Sequence, residues 1–327
     1  MKLASRRQGR DGRLIVVSED GLRYLDAHMI VPTLQSALDQ WTDVASSLEI
    51  LARQLANDPT CGEPLDIEQC SAPLPRAFHW VDGSAYVNHV ELVRKARGAA
   101  MPNSFWTDPL VYQGGSDDFL GPYEPACFAS EQWGIDLEAE IAVVLGDVPM
   151  GSTAEAIRHR GDIKLVMLVN DWSLRHLIPQ ELEKGFGFYQ SKPATAFAPF
   201  AVTPESLGDV WDGGKLHLPV HSFINDQWLG SPWAQEDMVF DFPQLIAHCA
   251  KTRSLRAGSI VGSGTVSNRD RSRGVSCLAE KRTLEIIDQG TAHTSFLKFG
   301  DRVRIEVLTR SGESVFGAID QQVMPID

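Results

Sequence analysis

Over residues 137–145 apolar side chains take every second position, Leu137, Ala139, Ile141, Val143 and Leu145, and Glu138 and Glu140 fall between them. In an extended chain that alternation puts the apolar set on one face and both carboxylates on the other. Ionised groups about 7 Å apart along a strand repel unless positive charge lies between them. An isolated pair of this kind is ordinarily a solvated acidic edge; a bound cation is the alternative. The next strand, over residues 163–169, is almost wholly apolar and ends abruptly in Asn170 and Asp171. Such a run predicts a buried strand that delivers an acid at its tip. Asp171 is thus a third carboxylate candidate, or else the cap of a helix that starts there.

Elsewhere the pattern predicts a β-rich α+β chain. Residues 14–26 read as two short strands around Glu19, Asp20 and Gly21. Leu34, Leu38, Trp41, Val44, Leu48, Leu51 and Leu55 recur at helical spacing, which predicts one amphipathic helix capped by Thr33. A stretch rich in Pro and turn formers, residues 60–77, then links a small N-terminal α/β unit (1–72) to a main body (73–327). In that body strands are expected over 140–147, 163–171, 215–226, 259–267, 282–288 and 301–309, and helices over 153–160, after Asp171 and over 240–251. Regular βα alternation is missing, so a mixed β-sandwich or roll is expected rather than a doubly wound sheet.

The formal charge of −13 argues against nucleic acid or an anionic membrane as partner, because both select basic patches. No stretch approaches the roughly 18 apolar residues of a membrane span, and the basic start is followed only by the short run "LIVV". The five cysteines are odd in number and form no CxxC pair, as for reduced thiols in a cytoplasmic protein.

Asp82 lies seven positions before His89, with helical character from Ala85 onward. A lone histidine is usually a satisfied core or surface group. Here, however, six segments, "DGSAYVNHV", "PLVYQGG", "GIDLEAEIAVVLGD", "LVNDWSLR", "QSKPATAF" and "GSGTVSN", follow one another in the order found in the fumarylacetoacetate hydrolase family, which the sequence resembles. The resemblance implies the mixed β-sandwich roll of that family and a homodimer. It implies four carboxylate metal ligands, Asp82, Glu138, Glu140 and Asp171, and all-oxygen donors select a hard divalent cation: Mg²⁺, with Ca²⁺ or Mn²⁺ as alternatives.

It also casts His89 as catalytic base, with Glu280 as the best candidate for its orienting partner, and Lys192 beside the metal. Tyr112, Gly264, Thr265 and either Arg94 or Arg97 resemble the family's substrate contacts. The implied activity is metal-dependent hydrolysis of a carbon–carbon bond in a β-diketo acid, fumarylacetoacetate or a related acylpyruvate. A 2-keto-4-pentenoate hydratase or an oxaloacetate-type decarboxylase on the same fold is the alternative, and a His/Glu water-activating pair favours hydrolysis. The run Arg269, Arg271, Arg273 reads either as a solvated basic loop or as a dicarboxylate clamp.

Overall fold

Side-chain alternation sets the layering seen in the computed structural model, which describes residues 1–58, 60–96 and 101–326. The strand Ala139–Leu145 lies in the middle of a mixed eleven-stranded sheet. Leu137, Ala139, Ile141, Val143 and Leu145 all enter one buried core, while Ala142 and Val144 enter another on the opposite face. The first core is shared with a second sheet of five strands that includes Val220–Ile224, Arg302–Val307 and Ile319–Pro325, through residues such as Val220, Ile305 and Val323. The second core is closed by Leu34, Leu38, Val44 and Leu48 from two N-terminal helices. A strand covered on both faces needs apolar side chains on both, which explains the unbroken run in Ile163–Asn170.

The chain's beginning extends this sheet. Lys2–Arg6 pairs antiparallel with Ala201–Val202, and Arg13–Val17 and Arg23–Asp26 follow outward as an antiparallel pair. On the other side of Ala139–Leu145 the order continues through Ile260–Gly262, Trp80–Gly83 and Val111–Gln113. Ile260–Gly262 runs antiparallel to the first and parallel to the second, so it sits between two strands distant in sequence.

Three local expectations are corrected. Residues 34–57 form two helices, Leu34–Asp39 and Trp41–Asn57, because the Gln40 backbone leaves the helical region at φ −120° and ψ 26°. The spacing of apolar residues carries through that break, so periodicity does not reveal it. Thr33 does cap the first helix, accepting from Ser36 N–H. Residues 282–288 belong to a helix, Leu278–Gln289, rather than to a strand; a short apolar run has no periodicity that separates the two. After Asp171 comes a two-residue strand, Ser173–Leu174, paired with Ile135–Asp136, and a helix forms only at Ile178–Glu183. Asp171 is therefore not a helix cap.

The crossing between strands depends on glycine. Gly264 has φ +78°, and a Cβ there would stand 2.3 Å from the Gly83 carbonyl oxygen. Its N–H donates to Asp82 Oδ1 at 2.9 Å. Gly264→Ala is expected to cost about 1–3 kcal/mol of stability and to weaken divalent-metal binding, as read by denaturant unfolding and by calorimetric titration.

Candidate active site

Neighbouring strands bring three acids to one end of the large sheet. Asp82 lies in Trp80–Gly83, Glu140 in Ala139–Leu145, and Asp171 directly follows Ile163–Asn170. One carboxylate oxygen from each lies within 4.8 Å of the others, and all three residues are buried. The strand tips are pinned by the chain itself: Asp171 N–H donates to Glu138 O at 3.0 Å, and Glu138 N–H donates to Asn170 Oδ1 at 3.0 Å.

Glu138 is buried as well, so the solvated-edge reading of the acidic pair does not hold. It does not join the three-acid cluster. Its carboxylate instead accepts from Arg175 Nη2 at 2.6 Å and from Lys192 Nζ and Ser173 Oγ. Lys192 Nζ also reaches Asp171 Oδ2 at 2.6 Å and Ser173 Oγ at 2.8 Å. Arg175 bridges onward to Asp136 Oδ2 at 2.8 Å. Asp171 is completed by the hydroxyls of Tyr112 and, at 2.8 Å, Thr195.

The charges do not balance. Among the described residues, five buried carboxylates (Asp82, Asp136, Glu138, Glu140, Asp171) face two cations, Lys192 and Arg175. Glu140 bears most of the deficit: with its neighbours ionised, neither of its oxygens has a hydrogen-bond donor among the described residues. Burial, reinforced by Asp82 and Asp171, raises its carboxyl well above the usual range. Burial and then Asp171 push Asp82 up to about 7. Glu138 goes the other way: burial alone would raise it, but Arg175 and Lys192 hold it well below. Lys192 would be lowered by burial, yet Asp171 and Glu138 raise it, so it stays an ammonium. A buried set of oxygen donors with an uncompensated negative charge fits a hard divalent cation.

Two helices distant in the chain meet within electrostatic reach of Glu138. His89, on Val87–Ala96, and Glu280, on Leu278–Gln289, are joined by a 2.8 Å hydrogen bond between Nδ1 and Oε2. The other Glu280 oxygen accepts from Ser267 Oγ at 3.0 Å, and Ser267 in turn accepts from Asn88 Nδ2 at 2.8 Å. With Glu280 accepting, Nδ1 is the protonated nitrogen and Nε2 keeps its lone pair.

Among the expected substrate contacts, the Gly264 N–H donates to Asp82 Oδ1. Thr265 is buried, and its hydroxyl makes no hydrogen bond among the described residues. Tyr112 donates to Asp171 and packs edge-on against Phe188. Arg97, like the side chain of Arg94, lies outside the described residues.

The dicarboxylate clamp does not form. Arg271 pairs with Asp288 at 2.9 Å, Arg273 with Glu236 and with Asp270 at 3.3 Å, and Arg269 faces Asp237 at 4.0 Å. Each guanidinium of the run already has an acid. Arg175, Asp136 and Thr195 went unnoticed in the sequence. A signal was present for two of them: alternation carried one step back from Glu138 puts Asp136 on the same face, and three acids on one strand face call for a cation such as Arg175.

Comparison with known proteins decides the family. The family model described as "Fumarylacetoacetate (FAA) hydrolase C-terminal" matches residues 79–324, and "Fumarylacetoacetase N-terminal domain 2" matches residues 1–76. The chain belongs to the fumarylacetoacetate hydrolase family. A fumarylacetoacetase of Caenorhabditis elegans is 27% identical over 221 residues, 59% of this chain and 53% of the worm protein, so the chain spans about half the length of that relative. An oxaloacetate tautomerase of Bacillus subtilis is 26% identical over 241 residues, 72% of this chain and 68% of the relative. Among solved structures, a maleylpyruvate hydrolase of Sphingobium, in complex with manganese(II) ion and pyruvate, shares the family fold at a TM-score of 0.66 and 16% identity, with both chains covered in full.

Metal-free Asp82 and Glu140 hold protons at pH values where an unfolded chain has released them. Between about pH 4 and pH 7 these two groups therefore make the metal-free fold less stable as pH rises. Glu138, with its lowered carboxyl, contributes stability that is lost only in stronger acid. A bound cation competes with the two protons. The rise in unfolding temperature on adding Mg²⁺ is expected to be larger at about pH 8 than at about pH 6. Calorimetry in buffers of different ionisation heat should show proton release on binding at the lower pH.

Proposed function

We propose that this protein is a divalent-metal-dependent hydrolase that cleaves a carbon–carbon bond in a β-diketo acid, with fumarylacetoacetate or another acylpyruvate as substrate. The observation that carries the reading is the 2.8 Å His89–Glu280 hydrogen bond together with three buried acids, of which Asp171 alone pairs with a cation, Lys192, among the described residues. The worm relative, named a fumarylacetoacetase, and the Sphingobium fold neighbour, named a maleylpyruvate hydrolase, both support this substrate class. Asp82, Glu140 and Asp171 would hold the ion; Mg²⁺ is our choice, and the manganese(II) of the Sphingobium complex supports a divalent one.

A bound divalent cation supplies polarisation of a chelated 1,3-dicarbonyl and charge balance for the enolate that leaves. The chain's own groups do the rest. Glu280 fixes the His89 ring through Nδ1, which leaves Nε2 to take a proton from water. The water oxygen bonds to the carbonyl carbon, and collapse of the adduct breaks the carbon–carbon bond. The electron pair leaves with the other fragment, which takes back the proton held on His89. Lys192, ammonium against Asp171 and Glu138, places positive charge where the enolate oxygen develops. The Thr265 hydroxyl, without a hydrogen bond among the described residues, would be available to a substrate oxygen.

A second reading has its own support: the Bacillus subtilis relative is named an oxaloacetate tautomerase, and proton transfer between carbon and oxygen needs a metal and a base but no attacking water. Product analysis separates the two. On acylpyruvates with Mg²⁺ we expect two acids from each substrate, and no turnover with chelator. His89→Ala is expected to lower kcat by about 10²–10⁴-fold with metal affinity retained. Inert diketones together with rapid ketonisation of enol-oxaloacetate would transfer the assignment to the tautomerase.

A further inference from the structure

The helix that carries Glu280 is capped in an unusual way. Its local cap is Cys277, whose Sγ accepts from Glu280 N–H at 3.4 Å. A thiol is a weak acceptor where Ser, Thr, Asp or Asn would be strong. The first two N–H groups of the helix are served from 142 and 143 residues away: Leu278 N–H donates to Asp136 Oδ1 at 2.7 Å and Ala279 N–H to Asp136 Oδ2 at 2.9 Å. A carboxylate on the axis at a helix N-terminus also meets the positive end of the helix dipole.

Helix formation alone does not need this arrangement, since one Ser at position 277 would supply a good cap. A long-range cap does what a local one does not: it ties the position of the helix to another element. That element is the strand pair Ile135–Asp136 and Ser173–Leu174, two residues ahead of Glu138 and four ahead of Glu140. Asp136 is fully buried, and its orientation is fixed by Arg175, which spans from Asp136 to Glu138 at 2.8 and 2.6 Å.

We propose that Asp136 is a positioning residue: it registers the Glu280 helix against the strand that carries Glu140 and so sets the Glu280–His89 hydrogen bond relative to the acid cluster. The inference rests on the reading of His89 and Glu280 as the water-activating pair. Arg175, in this account, orients Asp136 and does not bind substrate.

Three variants test it: Asp136→Asn, Cys277→Ser and the double variant. Asn keeps the size of Asp136 but loses the pair with Arg175 and one of the two helix contacts. Ser at 277 strengthens the local cap without restoring the long-range tie. Each is measured with Mg²⁺ bound, for unfolding temperature, for kcat and KM on an acylpyruvate, and for the ¹⁵N shift of His89 Nδ1. Asp136→Asn is expected to lower the unfolding temperature, to reduce kcat about 10–100-fold with KM within about threefold, and to move the Nδ1 signal.

The double variant should regain the unfolding temperature but neither kcat nor the Nδ1 signal. Recovery of all three together would reduce Asp136 to a helix stabiliser and overturn the proposal, as would wild-type kcat and signal in Asp136→Asn. If that variant does not fold, Arg175→Lys takes its place: the helix cap stays, the orientation of Asp136 loosens, and an unmoved Nδ1 signal overturns the proposal. The Nδ1 signal needs no substrate. A wild-type protein inactive on every diketone would therefore defeat the hydrolase reading and leave the positioning claim to be decided by that signal.

Discussion

Buried negative charge without enough positive charge is the constraint on which the rest of the site depends. Two ionised carboxylates about 5 Å apart repel by about 3–4 kcal/mol at the effective dielectric typical of protein sites. Asp82, Glu140 and Asp171 form three such pairs, and their burial removes the water that would otherwise screen them. The chain answers this only in part. Lys192 and Arg175 are spent mainly on Glu138, Asp136 and Asp171, which leaves Glu140 and Asp82 to hold protons or a metal. The two glutamates, two residues apart, thus have opposite electrostatic fates: one is neutralised by the protein's own cations, and the other has no hydrogen-bond donor among the described residues.

The fold makes this possible by bringing remote strand ends side by side and keeping the space between them free of side chains. Gly262 lies between the Asp82 and Glu140 strands; a Cβ there would stand 2.4 Å from Asp82 Oδ1 and 2.6 Å from the Trp80 ring. Gly264 then turns the chain with positive φ and gives its N–H to the same Asp82. The segment that resembles an oxyanion loop thus braces Asp82 through the Gly264 N–H, and the Thr265 hydroxyl makes no hydrogen bond among the described residues.

Much of this was legible in residues 134–171 because strand periodicity is strict. Alternation put Leu137, Ala139, Ile141, Val143 and Leu145 on the one face that enters a core, and the abrupt end of the apolar run at Asn170 located Asp171. Four things were not legible in the residue pattern. Helical spacing runs through Gln40 unbroken although the backbone does not. The sequence around Leu284 has no period strong enough to separate helix from strand, and the first two N–H groups of the helix are met by Asp136, a residue far away in the chain. Glu138 and Glu140 are chemically identical and share a strand face, so only the placement of Lys192 and Arg175 distinguishes them. The pairing of His89 with Glu280 spans 191 residues, and no local pattern encodes it.

Lys192 shows how a loop can deliver a fixed charge. The segment before it is exposed at Phe186 and Tyr189, which buries too little to hold a lysine by packing. The Glu181 carboxylate instead accepts from the N–H groups of Tyr189, Gln190 and Ser191 and from the Ser191 hydroxyl, so the backbone up to Ser191 is fastened by one anion. These contacts hold the Glu181 carboxyl below its usual range despite its partial burial, so it remains charged and the clamp persists at neutral pH. The ammonium sits 5.3 Å from the centroid of the Tyr112 ring with its side chain nearly buried. It pairs with Glu138 and Asp171, and among the described residues Asp82 and Glu140 have no cation paired with them.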